Sequence, residues 1–356
     1  MSFLTKDFDY YLPKELIAQF PPEQRGQSRL LVYHRDTGTI EHRQFPDLLE
    51  YLKLTDILVV NDSKVIPARL WATESASGKQ IELLLIHRIK ENIWSALTRP
   101  AKRCQPGVTF SIGNGKMQAK IINKLAGSRR EIEFRYTGDW DELLSELGEM
   151  PVPPYIKRGR SEVTSPVVEQ RKKLDRIRYQ TVYAKYNGSI AAPTAGLHFS
   201  EELLQKIKDK GIQIVSVTLH VGPGTFQPVR AERITDHKME PEYYIVSSET
   251  AEIINSAKKN RQRIVVVGTT ATRTLENVAD DNGLVQPKEG WADIFIYPGY
   301  EFKIVDILLT NFHLPQSTLL MLVSAFAGKE KILEGYQAAI QQKYRFYSYG
   351  DAMLIL

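Results

Sequence analysis

Ile264-Val-Val-Val-Gly-Thr-Thr-Ala-Thr-Arg-Thr-Leu-Glu276 is the stretch that decides the fold. Its four β-branched residues predict a buried strand at 264–267, and the glycine behind them lets the chain turn sharply. We place a helix over 271–279, after the threonines. A strand that leads straight into a helix indicates an α/β protein, in which ligands bind beyond the carboxyl ends of the strands.

The threonine-rich turn offers hydroxyl and amide groups at the start of this predicted helix. Because anions are favoured at a helix N-terminus, a phosphate or the carboxylate of an amino acid would suit the turn. Capping of the helix by Thr269 or Thr270 accounts for the same residues without any ligand.

The chain beyond residue 179 repeats this alternation of strands and helices. Ser200 is a predicted N-cap, and Gly211 a predicted stop, for a helix over 201–210. The other predicted elements are strand 212–219, helix 249–260, strand 294–296, helices 319–327 and 332–343, and a terminal strand 352–356. Together with early strands near Leu30 and Ile57, they predict an α/β layered mixed sheet with helices on both faces.

A different pattern covers residues 65–136, where short β-rich runs alternate with turns and show no helical period. Several short strands at this spacing predict a small closed β-barrel or a sandwich. An acidic helix at 140–149 and a Pro-rich segment follow. Because strands of the predicted sheet lie on both sides, we expect an inserted small β-barrel domain, 66–149, within a discontinuous α/β catalytic domain, 1–65 and 150–356.

The composition of the 356-residue chain, with 42% apolar and 25% charged residues, is that of an ordinary globular protein with a large core. Cys104 is the lone cysteine, which excludes a disulfide framework and a multi-cysteine metal site. The N-terminus lacks the features of a signal peptide, and the longest apolar run, 319–327, is about half of what a bilayer requires. We therefore expect a cytoplasmic protein with no membrane association.

Basic residues concentrate in segment 157–178, which holds eight basic and three acidic residues, while the net charge of the whole chain is +5. A basic stripe on an otherwise neutral protein suggests a polyanionic partner, with nucleic acid the first candidate. A solvated loop explains the same composition. The basic residues of the stripe are Lys157, Arg158, Arg160, Arg171, Lys172, Lys173, Arg176 and Arg178.

Three histidines stand beside turns of the predicted α/β part. His220 opens the loop His220-Val-Gly-Pro-Gly-Thr-Phe226, His198 precedes helix 201–210, and His313 follows Thr310-Asn-Phe. Histidine is the side chain best suited to proton transfer near neutral pH, although an isolated histidine is more often a hydrogen-bonded structural residue. The glycine-bearing loop lacks the further glycine of a dinucleotide fingerprint, so NAD binding is poorly supported.

His237, Glu240 and Glu242 lie close together in the sequence and could form a metal-binding cluster. Pro241 breaks any helix at this point, and no histidine pair has the helical spacing of a zinc peptidase. We therefore expect no bound metal.

Long motifs spread over nearly the whole chain resemble those of one known family. They include Phe8-Asp-Tyr-Tyr-Leu-Pro-Lys-Glu-Leu-Ile-Ala-Gln19, Val60-Asn-Asp-Ser-Lys-Val-Ile-Pro-Ala-Arg-Leu70, Gly188-Ser-Ile-Ala-Ala-Pro-Thr-Ala-Gly-Leu-His-Phe199, Leu219-His-Val-Gly-Pro-Gly-Thr-Phe226, Asp293-Ile-Phe-Ile-Tyr-Pro-Gly-Tyr300 and Thr310-Asn-Phe-His-Leu-Pro-Gln-Ser-Thr-Leu-Leu-Met321. In these motifs the sequence resembles the S-adenosylmethionine:tRNA ribosyltransferase-isomerases of queuosine biosynthesis. One departure follows Asp236-His-Lys-Met239, where the family allows His and then an acidic residue and this chain has Glu240-Pro-Glu242.

The resemblance implies an α/β domain with an inserted β-barrel, and it also implies the reaction. The family moves the ribosyl part of S-adenosylmethionine onto 7-aminomethyl-7-deazaguanine in tRNA, isomerises it to epoxyqueuosine, and releases adenine and methionine. The expected partners are therefore tRNA carrying that base and S-adenosylmethionine, which is consumed as a substrate. No separate cofactor, metal or redox group is expected.

Residue roles are expectations at this stage. His198, His220 and His313 are the acid–base candidates. Asn61, Asp62 and Arg69 are candidates for the ribose hydroxyls or the deazaguanine edge, Thr269, Thr270 and Arg273 for a carboxylate or phosphate, and Thr194, Gly196, Gly222 and Gly224 for substrate contacts from the small-residue loops. The tRNA-binding candidates are Lys157, Arg158, Arg171, Lys172, Lys173, Arg176 and Arg178 on the stripe, and Arg99 and Lys102, beside Arg103, on the barrel.

Two other classes of function compete with this expectation. A non-catalytic RNA-binding protein would use the basic stripe and the barrel, but it would not need histidines and threonine–glycine loops at strand ends. An S-adenosylmethionine-dependent tRNA methyltransferase would be expected to carry a glycine-rich loop after an early strand, which this chain lacks.

Overall fold

The strands and helices were located in a computed structural model that describes residues 3–158, 166–226 and 228–356. The strands, in chain order, are β1 Arg29–Tyr33, β2 Ile40–Gln44, β3 Ile57–Asn61, β4 Ser63–Val65, β5 Arg69–Glu74, β6 Gln80–Lys90, β7 Ile93–Arg99, β8 Thr109–Ile112, β9 Met117–Lys124, β10 Arg129–Tyr136, β11 Tyr186–Ser189, β12 Gln213–Leu219, β13 Glu242–Val246, β14 Ile264–Val267, β15 Lys288–Ala292, β16 Ile307–Asn311 and β17 Ala352–Ile355. The helices are α1 Leu48–Tyr51, α2 Trp140–Leu147, α3 Pro166–Arg178, α4 Glu201–Asp209, α5 Ser248–Lys259, α6 Gly268–Val278, α7 Thr318–Ala327 and α8 Lys329–Gln341.

A mixed sheet in the order β15-β13-β12-β3-β14-β16-β17-β1-β2 forms the α/β part of the described chain. Its centre is parallel, since β3 pairs with β12 and β14, and β14 pairs with β16, all in the same direction. The outer pairs β1–β2, β12–β13 and β13–β15 are antiparallel. The parallel strands therefore end together at one edge, where the loops after β3, β12 and β14 meet.

Continuous apolar runs place both faces of the central strands in a core. Ile57 and Val59 of β3 pack among residues of α5, α6 and α7 on one face, whereas Leu58 and Val60 pack among residues of α1 and α4 on the other. Strands that are covered on both faces need this near-continuous apolar sequence. The predicted layered mixed sheet with helices on both faces is confirmed. Among the described residues, no helix has both the length and the apolar character needed to cross a bilayer.

The β-rich segment forms a closed antiparallel barrel in the order β10-β7-β6-β5-β8-β9, with β9 pairing back to β10. Alternation of buried and exposed residues, as in Met117, Ala119 and Ile121 of β9, fills its interior. Helix α2 packs against the barrel core, where Trp140 stacks on Trp94 with ring centroids 5.3 Å apart. The chain enters the barrel after β3 and later returns to the sheet at β12, so the predicted insertion of a small barrel into the α/β fold is confirmed.

One predicted element of the α/β part was wrong, and other elements were missed. Residues 294–296 are not a strand; Ile296 is buried against the sheet's core as part of a loop, which accounts for its apolar character, and the edge strand is β15 instead. Strands β13 and β16 were missed because each is short and is defined by its distant pairing partners rather than by a local period. The end of the basic segment, treated as a loop, contains helix α3.

Candidate active site

The loop that follows β12 lies where the sheet meets the barrel. Gly222 and Pro223 line a cavity of about 540 Å³, Pro223 also lines a second cavity of about 230 Å³, and Gly224 lines a third of about 380 Å³. Because the loop stands at the carboxyl end of a parallel strand and borders all three spaces, it is the position at which an α/β fold of this kind binds ligands.

The 540 Å³ cavity has aromatic walls from both parts of the fold. Trp94 and Trp140 of the barrel line it together with Tyr243 and Trp291 of the sheet. Trp291 makes edge contacts with Tyr243, at 5.5 Å between ring centroids, and with His87 of β6, at 5.6 Å. Flat aromatic walls suit a flat heterocycle, because nucleobases stack on aromatic side chains. The sequence contains no local pattern that predicts this convergence, because the four rings come from four separate elements.

His220 is the histidine of the predicted three that lines this cavity. Its Nδ1 lies 2.7 Å from Oγ of Ser63, and its ring stacks on Tyr243 at an interplanar angle of 20°. The ring covers Gly188, whose φ is 149° and where a Cβ would lie 2.6 Å from Nε2, so a side chain at Gly188 would displace the imidazole. Burial lowers the pKa of His220 below 6.5, against an opposing effect of the Asp62 charge. The imidazole is therefore neutral near pH 7 and can accept a proton.

A buried ion pair holds the loop beside His220 in place. Nη1 of Arg273 lies 2.5 Å from Oε2 of Glu242, and both side chains are 4% exposed. The other carboxylate oxygen of Glu242 accepts hydrogen bonds from the backbone N–H of Gly222, at 2.7 Å, and from the hydroxyl of Thr225, at 3.0 Å. Glu242 thus connects helix α6 to the Gly-Pro-Gly turn, a role that sequence reasoning missed because it treated Glu242 only as part of a metal cluster.

The three residues of the suggested metal cluster have other neighbours. Glu240 pairs with Arg129 of the barrel at 3.1 Å, Glu242 pairs with Arg273, and the ring of His237 contacts Phe295 edge-on. Within the described residues, no group of three His, Cys, Asp or Glu side chains is arranged as a possible metal site.

Asn61 and Asp62 organise the strand ends. Asn61 is fully buried and donates hydrogen bonds to the carbonyl of Leu219 and to the hydroxyl of Thr270, at 3.0 and 3.1 Å. Asp62 accepts a hydrogen bond from the Thr218 hydroxyl at 2.7 Å. Both residues therefore fix β12, which leads directly into His220, and the side-chain amide of Asn61 is already committed within the protein.

Helix α6 begins at Gly268, three residues earlier than expected. Its N-cap is Val267, so Thr269 and Thr270 lie inside the first turn, and the capping role considered for them is wrong. Gly268 has a φ of 87°, which explains the glycine at the strand-to-helix turn. Thr269 and Thr270 are each 5% exposed and line none of the three cavities around the loop.

His198 and His313 lie inside the core, away from the three cavities. Nε2 of His198 accepts a hydrogen bond from the Asn311 amide at 3.1 Å, and its Nδ1 lies 2.7 Å from the hydroxyl of Ser28. Burial lowers its pKa to about 4 and that of His313 to about 3, and Nε2 of His313 lies 2.8 Å from the Thr310 hydroxyl. Both rings are placed as neutral structural groups, and the geometry favours His220 alone as the acid–base candidate.

Of the remaining substrate candidates, Arg69 lines the 230 Å³ cavity that borders the loop, whereas Thr194 and Gly196 line none of the three cavities. Arg69 pairs with Glu82 at 3.0 Å and donates to the carbonyl of Val152, which joins the barrel to its Pro-rich exit. Thr194 and Gly196 belong to a 3₁₀ helix, and a Cβ at Gly196 would lie 2.1 Å from the Tyr183 hydroxyl. Gly196 is thus required for close packing.

The basic stripe is partly engaged inside the protein. Arg158 forms two hydrogen bonds with the buried Asp175, at 2.6 and 2.8 Å, and Lys172 lies 2.8 Å from Glu149. Arg176 and Arg178 donate to backbone carbonyls of residues 145 and 148, and of residues 22 and 23, respectively. Arg171 and Lys173 of the stripe line a cavity of about 470 Å³, and the guanidinium of Arg171 lies over the ring of Phe20 at 5.2 Å. Lys157 lies beside Arg158, and Arg160 lies outside the described residues. On the barrel, Arg99 lines the 230 Å³ cavity, and Lys102 is exposed in a short 3₁₀ helix. The role of these residues in tRNA binding stays a prediction.

Comparison with known proteins gives close matches over the full length. The family described as "Queuosine biosynthesis protein" matches residues 5–355. A protein of Caldanaerobacter subterraneus subsp. tengcongensis named S-adenosylmethionine:tRNA ribosyltransferase-isomerase is 54% identical over 350 residues, which cover 98% of this chain and 99% of that protein. A protein of the same name from Clostridioides difficile is 51% identical over 351 residues, or 99% of both chains. The crystal structure of S-adenosylmethionine tRNA ribosyltransferase from Thermotoga maritima is similar with a TM-score of 0.53 and 40% identity, covering 98% of this chain and 100% of that one.

The buried position of His198 predicts a pH dependence of stability. Its pKa is about 4 in the folded protein and about 6.5 in an unfolded chain, so between these values only the unfolded state binds the proton. The contribution of His198 to the free energy of unfolding should therefore be complete above pH 6.5. It should fall by about 2–3 kcal/mol as the pH is lowered toward 4. Urea unfolding at pH 7 and pH 4.5 measures the difference, and His198→Gln should reduce it. An equal pH dependence in the variant would contradict the buried neutral imidazole.

Proposed function

The chain belongs to the queuosine biosynthesis protein family, and we propose that it is an S-adenosylmethionine:tRNA ribosyltransferase-isomerase. In this proposal it transfers the ribosyl unit of S-adenosylmethionine to 7-aminomethyl-7-deazaguanine in tRNA and isomerises it, giving epoxyqueuosine-tRNA, adenine and methionine. S-adenosylmethionine is consumed as a substrate, with no separate cofactor. The observation that carries the proposal is the aromatic cavity of about 540 Å³ beside His220.

The cavity supports the proposal because both substrates present a flat heterocycle. Adenine belongs to the donor and the deazaguanine to the acceptor, and both have to approach the same ribosyl unit. The paired rings of Trp94 and Trp140 lie on the barrel side, while Tyr243 and Trp291 lie on the sheet side. Stacking on such rings is available to every base, because each base has a π-face.

His220 supports the proposal because the reaction begins with removal of a proton. The positive sulfonium acidifies the neighbouring C5′ protons, and taking one of them starts the opening of the ribose ring and the loss of adenine. The amine on the tRNA base then attacks C1′, and re-closure forms the epoxide and expels methionine. A base for this first step has to be neutral at working pH, which burial of His220 provides.

The experiment that tests the proposed function is product analysis. Incubation of the protein with S-adenosylmethionine and tRNA carrying the aminomethyl-deazaguanine should release adenine and methionine in equal amounts. Liquid chromatography of the small molecules distinguishes this from the alternatives. Release of S-adenosylhomocysteine would identify a methyltransferase instead, and binding of tRNA with no turnover would identify a non-catalytic RNA-binding protein.

His220→Ala should lower kcat by roughly 10²–10⁴-fold, the usual contribution of a general acid–base group. Because a neutral base is required and the pKa of His220 lies below 6.5, kcat/KM of the parental enzyme should rise with pH through an acid limb located below pH 6.5. Steady-state rates between pH 5 and 8 measure both effects. His313→Gln is the comparison variant, since that ring lines none of the cavities around the loop; a larger loss of kcat there than in His220→Ala would contradict the assignment.

Within helix α3, we expect Arg171 and Lys173 to make the tRNA contacts, because these basic side chains have no carboxylate or carbonyl partner among the described residues. Arg171→Ala combined with Lys173→Ala should weaken tRNA binding and flatten the plot of log affinity against log salt by up to roughly two units, if each contacts a phosphate. Filter binding at several salt concentrations measures this slope. The control pair is Lys208→Ala with Lys259→Ala, two exposed lysines of α4 and α5. Equal slopes for both pairs would move the tRNA footprint to another surface.

A further inference from the structure

The cavity of about 380 Å³ shares lining residues with the aromatic cavity of about 540 Å³. Glu240 and Glu242 line both, and the loop residues Gly222 and Gly224 stand on either side of Pro223, one in each cavity. Glycine brings the backbone close to these carboxylates: a Cβ at Gly224 would lie 3.5 Å from Oε2 of Glu240. The two cavities therefore lie side by side along a wall that contains these two carboxylates.

The lining of the 380 Å³ cavity differs from that of its neighbour. Arg230 and Lys238 supply two positive charges and Asp236 a negative charge, and the hydroxyl-bearing Thr225 and Thr318 complete the polar surface. No aromatic ring other than the imidazole of His237 lines it among the residues that the structure describes. Charged side chains of both signs line both cavities, but only the first has flat aromatic walls that suit a heterocycle; the second is suited to a small charged ligand.

The two glutamates shared by the cavities form ion pairs, whereas the other charged side chains of the 380 Å³ cavity form none with the described residues. Glu240 pairs with Arg129, and Glu242 pairs with Arg273. Arg230, Lys238 and Asp236, in contrast, are exposed to solvent and make no ion pair with any other part of the described chain. Two unpaired cations beside one unpaired carboxylate match the carboxylate and ammonium of an α-amino acid, because charge-assisted hydrogen bonds form with both groups.

We propose that the 380 Å³ cavity binds the amino-acid end of S-adenosylmethionine, with its carboxylate on Arg230 and Lys238 and its ammonium toward Asp236. This inference rests on the proposed function, and it assigns the adenosine end to the aromatic cavity. The sulfonium then falls where the cavities share Glu240 and Glu242. The C5′ carbon next to the sulfonium lies on the side of His220, as removal of its proton requires.

The test measures whether binding depends on the carboxylate of the ligand. Equilibrium dialysis in the presence of tRNA that lacks the aminomethyl-deazaguanine, so that no turnover occurs, compares S-adenosylmethionine with its decarboxylated form, S-adenosyl-3-methylthiopropylamine. The parental protein should bind S-adenosylmethionine roughly ten- to hundred-fold more tightly, as expected for hydrogen bonds between charged groups. Arg230→Gln should weaken binding of S-adenosylmethionine by a similar factor and leave the affinity for the decarboxylated form nearly unchanged.

The matched control is Arg233→Gln, an exposed arginine three residues further along that lines neither cavity. It should retain the preference of the parental protein for the carboxylated ligand. Equal affinities of the parental protein for the two ligands, or equal losses for both in Arg230→Gln, would overturn the inference. Release of adenine and methionine is measured separately, so a protein that turns over without a carboxylate preference refutes this assignment and leaves the proposed function standing.

Discussion

The ion pair between Glu242 and Arg273 is the contact on which the arrangement of the site depends. Each side chain is 4% exposed, so neither charge is solvated by bulk water. Removing one partner of such a pair typically costs about 3–5 kcal/mol, since the other charge is left buried and unpaired. Glu242 also accepts hydrogen bonds from the amide of Gly222 and the hydroxyl of Thr225. The strand β13, the helix α6 and the turn between the cavities are therefore held by one carboxylate.

A second constraint is that the barrel and the candidate acid–base histidine share a segment of chain. Asn61, Asp62 and Ser63 form the exit from the sheet into the barrel. In the same three residues, Asn61 bonds to β12 and α6, Asp62 accepts from Thr218, and the hydroxyl of Ser63 lies 2.7 Å from His220. The insertion point of the barrel and the position of the imidazole are thus coupled through hydrogen bonds made by three consecutive residues. Trp94 and Trp140 of the barrel line the same cavity as His220.

Local sequence patterns predicted the elements but not the partners. The strand at 264–267, the barrel and the glycine-bearing loop after β12 are each encoded within short stretches of chain, by apolar runs, alternation and turn residues. The role of Glu242 and the convergence of Trp94, Trp140, Tyr243 and Trp291 depend on contacts between distant elements, which no local period records. The same limit explains why three histidines beside turns looked alike: burial separates His198 and His313 from His220 only once the sheet is assembled.

The position of the Gly-Pro-Gly turn explains why a two-substrate reaction suits the place where the sheet meets the barrel. In the proposed reaction, a ribosyl unit that loses adenine, accepts an amine and expels methionine has to present three different bonds in turn without leaving the site. The turn borders three cavities, and Pro223 faces two of them. Because Glu242 fixes the turn, groups held in neighbouring cavities keep a constant relation to His220, and correct orientation of this kind lowers the barrier of each step. The rigidity that the buried ion pair confers on the turn therefore serves the proposed chemistry as well as the fold.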